Sequence, residues 1–536
     1  MAVARLSKVT LESPRSELGV LLGRLMEFKA FHPSRREGME QDIGLLVLGS
    51  KAQAVYGRVN QLLEKGGFGG KGRPNEVEKF EARDVEGLVS TLDGYVGTIE
   101  GNTSLFNREE DRTGVVNVLL AAQEASLMVF TNLQRILVFP QVSGSVKFEG
   151  FVPTKSIKAF QAMVGEFVSA IEPVKTQTKD QPYIPSLLVN PRVVSLFESI
   201  TLQRGLPRYG EVDPTPILAL IFPFFFGVMF ADVGHGIALF AFGLYLIYKT
   251  AYKNWGELVL VLALSTTIFG FIRGSVFGVT FASPLSGVIP LPPAFSAGFT
   301  LSYIPFLLEL AVVIGTFHLA SGYAISFINH ERAGNYRDAF LNRLPTIALY
   351  VSIVPFSFAL AGTNLDVGVL FTSAAPTPVF NELFGLQIPV SVTARFSLPF
   401  VVAASLVLVI GHPLQEYRAP RRLRHTLRAL GVGMADAVAK LLEFFMNTLS
   451  YLRLGVLLIT TTLLGSLTAG VLLDGIPGVV VAVLLNVAVI GLEGVVVYIQ
   501  DMRLQLYEWF SSFYEGDGTP FIPLVSGGKH FRMIWT

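Results

Sequence analysis

The sequence predicts two parts: an α/β domain over residues 1–210, built as two small lobes joined by a helical hairpin, and an all-α domain of about eight membrane-spanning helices over residues 211–536, the last two long and tilted. Three observations carry that prediction. The 536 residues are 51% hydrophobic and 11% aromatic, with a mean hydropathy of +0.52, too apolar for a soluble chain of this size. The net charge of +1 hides an asymmetry, because more than half of the 42 Lys and Arg precede residue 208, while the long apolar runs all follow it. Those runs are long enough to cross a bilayer as helices. Cysteine is absent, which excludes a disulfide framework, a thiolate metal site and a cysteine nucleophile. No metal, cofactor or nucleic-acid partner is expected.

In the first domain, residues 2–11 have strand character, and Pro14 to Lys29 carries Leu18, Leu21, Leu22 and Leu25 at helical spacing. A similar unit follows later: Arg135 to Pro140 and Ser145 to Val152 read as strands, and Pro153 to Ile171 as a helix with Ile157, Phe160, Met163, Val164 and Phe167 on one side. Between them, about 40–64 and 111–133 form the arms of a hairpin, separated by a Gly-rich, charged interval. That interval contains Gly67-Phe68-Gly69-Gly70-Lys71-Gly72, which satisfies GxGxxG as a bare pattern. A dinucleotide fingerprint needs a strand before it and a helix starting at its end; here a polar helical stretch precedes and Arg73-Pro74-Asn75 follows, so it reads as a loop. The opening Met-Ala-Val-Ala-Arg-Leu-Ser-Lys lacks the apolar core of a signal peptide, which places the N-terminal domain in the cytoplasm.

The predicted spans are about 214–231, 233–248, 257–280, 302–328, 344–362, 396–411, 430–473 and 478–511. The positive-inside rule agrees. With the N-terminus inside, the cytoplasmic loops carry Lys249 and Lys253, then Arg332, Arg337 and Arg343, then Arg418, Arg421, Arg422, Arg424 and Arg428, whereas the outer loops, including the uncharged 284–300, offer only Arg395. An even number of spans is favoured. At ~1.5 Å per residue, the 44 residues of 430–473 exceed a hydrocarbon layer of about 30 Å roughly twofold, and 478–511 shares the excess. Two adjacent, overlong helices suggest a surface lying obliquely against another membrane object.

Each of those helices carries an intramembrane arginine. A guanidinium stays charged at physiological pH and is costly at bilayer depth, so Arg453 and Arg503 are expected to face a polar cavity and to act. On the eighth span, Asn486, Glu493 and Gln500 are seven apart, and Arg503 and Tyr507 continue the spacing, which predicts one stripe. On the seventh, Glu443, Asn447, Ser450 and Arg453 follow at four, three and three, and Thr461 returns to the face of Glu443. Helix-to-helix glue accounts for Asn, Ser and Thr, but poorly for Arg453, Arg503 and Glu493. Asp232 and His235 fall at a predicted outer turn where hydration is easy. Arg273 and Glu309 fit either an ion pair between neighbouring helices or a channel lining, and His318 reads as a hydrogen-bonded packing residue, with no second ligand at metal spacing.

Several motifs, in order, carry a resemblance. Pro185-Ser-Leu-Leu-Val-Asn190-Pro191 through Phe197-Glu198, then Gly205-Leu-Pro207-Arg-Tyr209-Gly-Glu211-Val-Asp213-Pro214-Thr215-Pro216, resembles the domain junction of the V-type and A-type rotary ATPase membrane stator, subunit a or subunit I. So do Phe222-Pro223 through Asp232-Val-Gly234-His235-Gly236, Asn447-Thr-Leu-Ser-Tyr451-Leu-Arg453-Leu, Glu493-Gly494, Met502-Arg503-Leu504 and Phe513-Tyr514-Glu515-Gly516-Asp517-Gly518. The resemblance implies a multi-pass subunit, without catalysis of its own, in a prokaryotic cell membrane. It implies that Arg453 and Arg503 face a rotor ring of proteolipid c subunits, that Glu493 belongs to a half-channel for H+ or Na+, and that the N-terminal lobes hold peripheral stalks in a complex with a central stalk and a catalytic ATPase head. Where the family often has His after the first arginine motif, this chain has Thr460, Thr461 and Thr462, so no relay role is carried over there. The N-terminal domain is shorter than the family's usual one. A secondary transporter with its own substrate site is the rival reading, and a membrane anchor that only scaffolds assembly is a third; spans one to four and five to eight show no convincing repeat.

Overall fold

A computed structural model describes residues 3–36, 38–65, 77–101, 109–139, 144–174, 183–281, 304–363, 366–372, 378–379, 388–415, 423–472 and 475–535. The Gly67–Gly72 pattern, the 284–300 loop and Arg418, Arg421 and Arg422 lie outside them. The chain is mostly helical and divides into two compact units, Val3–Leu188 with Gly518–Thr536, and Val189–Asp517.

In the first unit, β1 (Leu6–Pro14), α1 (Leu18–Phe28), β2 (His32–Pro33), α2 (Ile43–Lys65), β3 (Glu78–Ala82), α3 (Val85–Gly101), α4 (Glu109–Gln134), β4 (Ser145–Pro153), α5 (Ile157–Val164) and β5 (Val168–Pro173) share one hydrophobic core. Alternation in β1 sends Val9 and Leu11 inward, and the strand pairs antiparallel with β4 from Leu6↔Pro153 to Pro14↔Ser145. The resulting sheet has the order β2-β4-β1-β5. The two βα units therefore join through one sheet and are not separate lobes. The helix expected over Pro153 to Ile171 ends at Val164, and Val168–Pro173 becomes β5 beside β1. Val168 and Ile171 are β-branched and fit a sheet better than a helix. Of the strand expected at 135–140, the described residues 135–139 make isolated bridges, Val138 to Glu40 and Phe139 to Lys147. Helices α2 and α4 pack together as the expected hairpin.

The same unit takes in the chain's end. Strand β6 (Pro185–Ser186) pairs with β7 (Thr519–Pro520), and β8 (Phe531–Trp535) runs parallel to β3 from Phe531↔Glu78 to Trp535↔Ala82. No sequence signal marks this return, because five residues that alternate in burial look alike in any edge strand.

Among the described residues, seven helices are long and apolar enough to cross a membrane: Thr113–Gln134, Lys253–Arg273, Ile304–Arg332, Tyr336–Gly362, Val390–Gly411, Leu430–Val471 and Gly475–Ser512. The first is most of α4, whose Leu119, Ala121, Ala122, Ala125 and Val129 are fully buried in the first unit. The other six lie in the second unit. There, α6 (Arg192–Ser195) and α7 (Glu198–Arg204) precede α8 (Thr215–Met229) and α9 (Val233–Lys249), which have 15 and 17 residues and fall short by that measure. Then come α10 (Lys253–Arg273), α11 (Ile304–Arg332), α12 (Leu344–Gly362), α13 (Val390–Gln415), α14 (Leu423–Val471) and α15 (Gly475–Ser512). Helix α14 packs on α8, α11, α13 and α15 around a core rich in aromatic rings.

Candidate functional site

Helix α14 has 49 residues and α15 has 38, about 74 and 57 Å at ~1.5 Å per residue. Each presents an apolar face to its surroundings. On α14, Leu442, Phe445, Met446, Leu449, Val456, Leu463 and Leu467 are exposed, and on α15 Val480, Val487, Leu492, Val495 and Ile499 are. Most steps between them are three, four or seven, so they form a stripe along each helix, and Arg453, four after Leu449, and Arg503, four after Ile499, continue that spacing. Arg503 is exposed and Tyr507 is 67% exposed, whereas Arg453 is half-buried. The charges of Arg453 and Arg503 reach each other, and both reach Glu508. Asn447 is half-buried and Glu443 exposed on the same helix.

The five-residue stripe expected on α15 splits in two. Two π-helical turns, Val489–Glu493 and Leu504–Trp509, add residues to the helical period. Asn486 and Glu493 are buried, Gln500 is half-buried, and Arg503 and Tyr507 are exposed; Gly494–Arg503 is regular α-helix, so Arg503, ten residues after Glu493, already stands roughly 80° round from it, and only Tyr507 lies in the second π turn. The residues that take the inward positions are Asp501, Gln505 and Glu508, at 0%, 0% and 5% exposure, with Gln505 donating to Asp501 across 3.2 Å. Their own spacing of four and three was the available signal, and the heptad of Asn486, Glu493 and Gln500 masked it.

Asp232 and His235, expected at an outer turn, are both buried. Asp232 caps α9 by accepting the N–H groups of Gly234 at 2.9 Å and His235 at 3.1 Å. It also accepts from Phe277 N–H, Gly278 N–H and the Ser275 hydroxyl at 2.8, 3.0 and 2.6 Å. That grip sets a tight turn against α14. Gly278 has φ +79, and a Cβ there would lie 1.9 Å from Gly465 O, so only glycine serves. Across the site, Asn486 donates to Ala482 O and so offers its oxygen to His235 Nε2 at 3.0 Å. His318 is the packing residue expected, holding the Tyr451 hydroxyl at 2.7 Å and stacking on Trp509. Arg273 donates to Ala231 O, and its charge reaches Asp232 and Glu493. Glu309 is half-buried on α11. Glu493 meets the Thr461 hydroxyl at 2.6 Å, and Thr461 also reaches Met229 O at 2.8 Å.

Two motifs about 300 residues apart dock on one another. Gly205 and Gly516, both at positive φ, approach so closely that a Cβ on Gly205 would lie 1.9 Å from Gly516 O and one on Gly516 would lie 2.1 Å from Arg204 O. The Tyr514 hydroxyl donates to Gly205 O at 2.7 Å, while Arg208 bridges Glu515 and Asp517. That hydrogen bonding raises Arg208 and lowers Asp517 from their usual values. Burial pushes the neighbouring Glu211 carboxyl up to about 7, against the Arg208 N–H and charge, which pull it down. A raised acid favours the folded state below its unfolded value of 4.5 and loses that contribution as pH rises through about 7. Thermal unfolding in detergent should thus show wild-type stability falling between pH 5 and 8 relative to Glu211→Gln, which keeps the acceptor without the charge; parallel curves would refute this.

Among the described residues no group of three His, Cys, Asp or Glu could hold a metal ion. The V-type ATPase 116 kDa subunit family model matches residues 121–258. The A-type ATP synthase subunit I of Methanocaldococcus jannaschii is 26% identical over 507 residues, 85% of this chain and 67% of that protein. That of Saccharolobus solfataricus is 26% identical over 71% of this chain and 60% of its own length, and that of Aeropyrum pernix 24% identical over 97% and 80%. The chain spans three fifths to four fifths of the length of these relatives. With its motifs in order along both units, the chain is similar to the V-type ATPase 116 kDa subunit family over residues 121–258 and to A-type ATP synthase subunit I over most of its length.

Proposed function

We propose that this chain is the non-catalytic membrane stator of a rotary ATPase or ATP synthase, passing H+ or Na+ between two half-channels by way of a separate rotor ring, with its first unit in the cytoplasm holding the peripheral stalks, beside a central stalk and catalytic head. The carrying observation is the exposed Arg503 on the apolar outer face of an overlong helix, with Arg453 within electrostatic reach. A guanidinium facing lipid alone would be costly; one facing a rotor carboxylate is useful. The carboxylate can enter lipid only when neutral or ion-loaded, and a fixed positive charge lowers its pKa as it arrives and releases the ion. The same charge bars ions from passing directly between the half-channels, so net flow requires rotation. Glu493, buried behind this face with Asn486 and Gln500 on the same helix, is the half-channel acid.

Eight spans, made from the six long helices of the second unit plus α8 and α9, suit this reading. Strand β8 pairs with β3, so the two ends of the chain share one unit, which supports an even number of intervening crossings. The test is reconstitution. ATP-driven ion uptake by the complete complex should fall by roughly tenfold or more in Glu493→Gln, and the purified chain alone should move no solute; solute uptake by the chain alone would make it a secondary transporter.

A further inference from the structure

Thr461 has one hydroxyl hydrogen and more acceptors than it can serve. Its Oγ lies 2.6 Å from Glu493 Oε1, 2.8 Å from Met229 O and 3.1 Å from Leu457 O. All of this is buried, Thr461 at 2% and Glu493 at 6% exposure. Met229 ends α8, so its carbonyl is one of those a helix leaves without an internal partner. The other Glu493 oxygen, Oε2, has no hydrogen-bond partner among the described residues.

From this hydrogen count we infer that Thr461 and Glu493 form a proton-holding switch, so that the ion handled at this position is H+ and not Na+. The inference rests on reading Glu493 as the half-channel acid. When Glu493 is protonated, its O–H donates to Thr461 Oγ and the Thr461 O–H donates to Met229 O; each short contact then holds one hydrogen. When the Glu493 O–H bond breaks and the proton passes to half-channel water as hydronium, the Thr461 hydroxyl turns to the new carboxylate. Met229 O then loses its partner. Each state keeps a donor aimed at an acceptor, which suits a group that must lose and regain a proton inside a bilayer. The charged groups facing the pair are Arg273 at the end of α10 and, beyond it, Asp232; His235 on α9 is the nearby imidazole. The 2.6 Å between Glu493 Oε1 and Thr461 Oγ is the separation of two oxygens sharing one hydrogen and leaves no room for a metal cation between them.

Thr461→Val keeps the shape and removes the hydroxyl; Thr461→Ser restores it. In the reconstituted complex, the infrared C=O stretch of protonated Glu493, identified as the band lost in Glu493→Gln, should move to higher wavenumber in Thr461→Val and return in Thr461→Ser. The pH profile of ATP-driven proton uptake should shift in Thr461→Val and return with Ser. An unmoved band together with a superimposable profile would overturn the switch, as would uptake of Na+ in place of H+. Full pumping by Glu493→Gln would instead remove the reading of Glu493 on which the switch stands, so the two failures are distinguishable.

Discussion

Arg503→Ala should leave the complex assembled and its ATPase head intact while ATP-driven ion uptake drops to background. The side chain is exposed, so its removal opens no cavity in the core of the chain. What is lost is a fixed charge. A guanidinium about 4 Å from a rotor carboxylate contributes about 4 kcal/mol at an effective dielectric of 20, equivalent to about three pK units. On the proposed function, the carboxylate without it would keep its ion as it passes and nothing would be delivered. Arg453 does not replace it, because it is half-buried and its charge is shared with Glu508. Arg503→Lys, which keeps the charge but not the planar fork, should retain measurable uptake. Comparing uptake with the amount of assembled complex checks the outcome: normal pumping by Arg503→Ala would sink the proposed role, and failure to assemble would make the arginine structural.

The membrane half was legible because hydropathy and charge act over whole spans. The overlong pair, expected at 430–473 and 478–511, is α14 at Leu423–Val471 and α15 at Gly475–Ser512. Helical spacing failed at finer scale. The stripe from Asn486 to Tyr507 treats ten residues of α-helix from Glu493 to Arg503 as one face although they end roughly 80° apart, and the π-helical turn at Leu504–Trp509 breaks the period beyond Arg503, so that Asp501 and Glu508 hold the inward positions. Asp232 misled for another reason. Its position at the end of a span suggested water, yet its five hydrogen-bond donors include Ser275, Phe277 and Gly278, more than forty residues on, which no local pattern announces. The same limit hid the docking of Gly205 on Gly516 and the return of the C-terminal strand: contacts of high sequence separation are fixed by packing, not by period.

Deleting residues 518–536 should collapse the first unit. Leu524, Phe531 and Met533 are buried in its core, and at about 2 kcal/mol per buried apolar side chain their loss of about 6 kcal/mol rivals the 5–15 kcal/mol of a whole domain. The tail is also held by many polar contacts. Glu124 accepts the N–H groups of Lys529 and His530 at 3.0 and 2.8 Å, Asn132 donates to Val525 O at 2.9 Å, and Arg135 donates to Pro523 O at 3.2 Å. Trp535 packs on α1 where a Cβ on Gly23 would lie 2.8 Å from its ring, so the helix surface is shaped to receive it. Removing the tail bares the β3 edge and leaves Glu124 without its donors, an aggregation hazard as well as a loss of burial. Limited proteolysis should find the unit protected in the full chain and degraded in the deletion; equal protection would show the tail to be dispensable. Phe531→Ala, expected to cost about 3–5 kcal/mol, gives a graded version that still pairs its backbone. Because the chain has no cysteine, single cysteines placed at the exposed positions Ser16 and Val525 should react with an impermeant thiol reagent from the same side of the membrane, as a shared unit requires. Labelling from opposite sides would break both the strand pairing and the even count of crossings built on it.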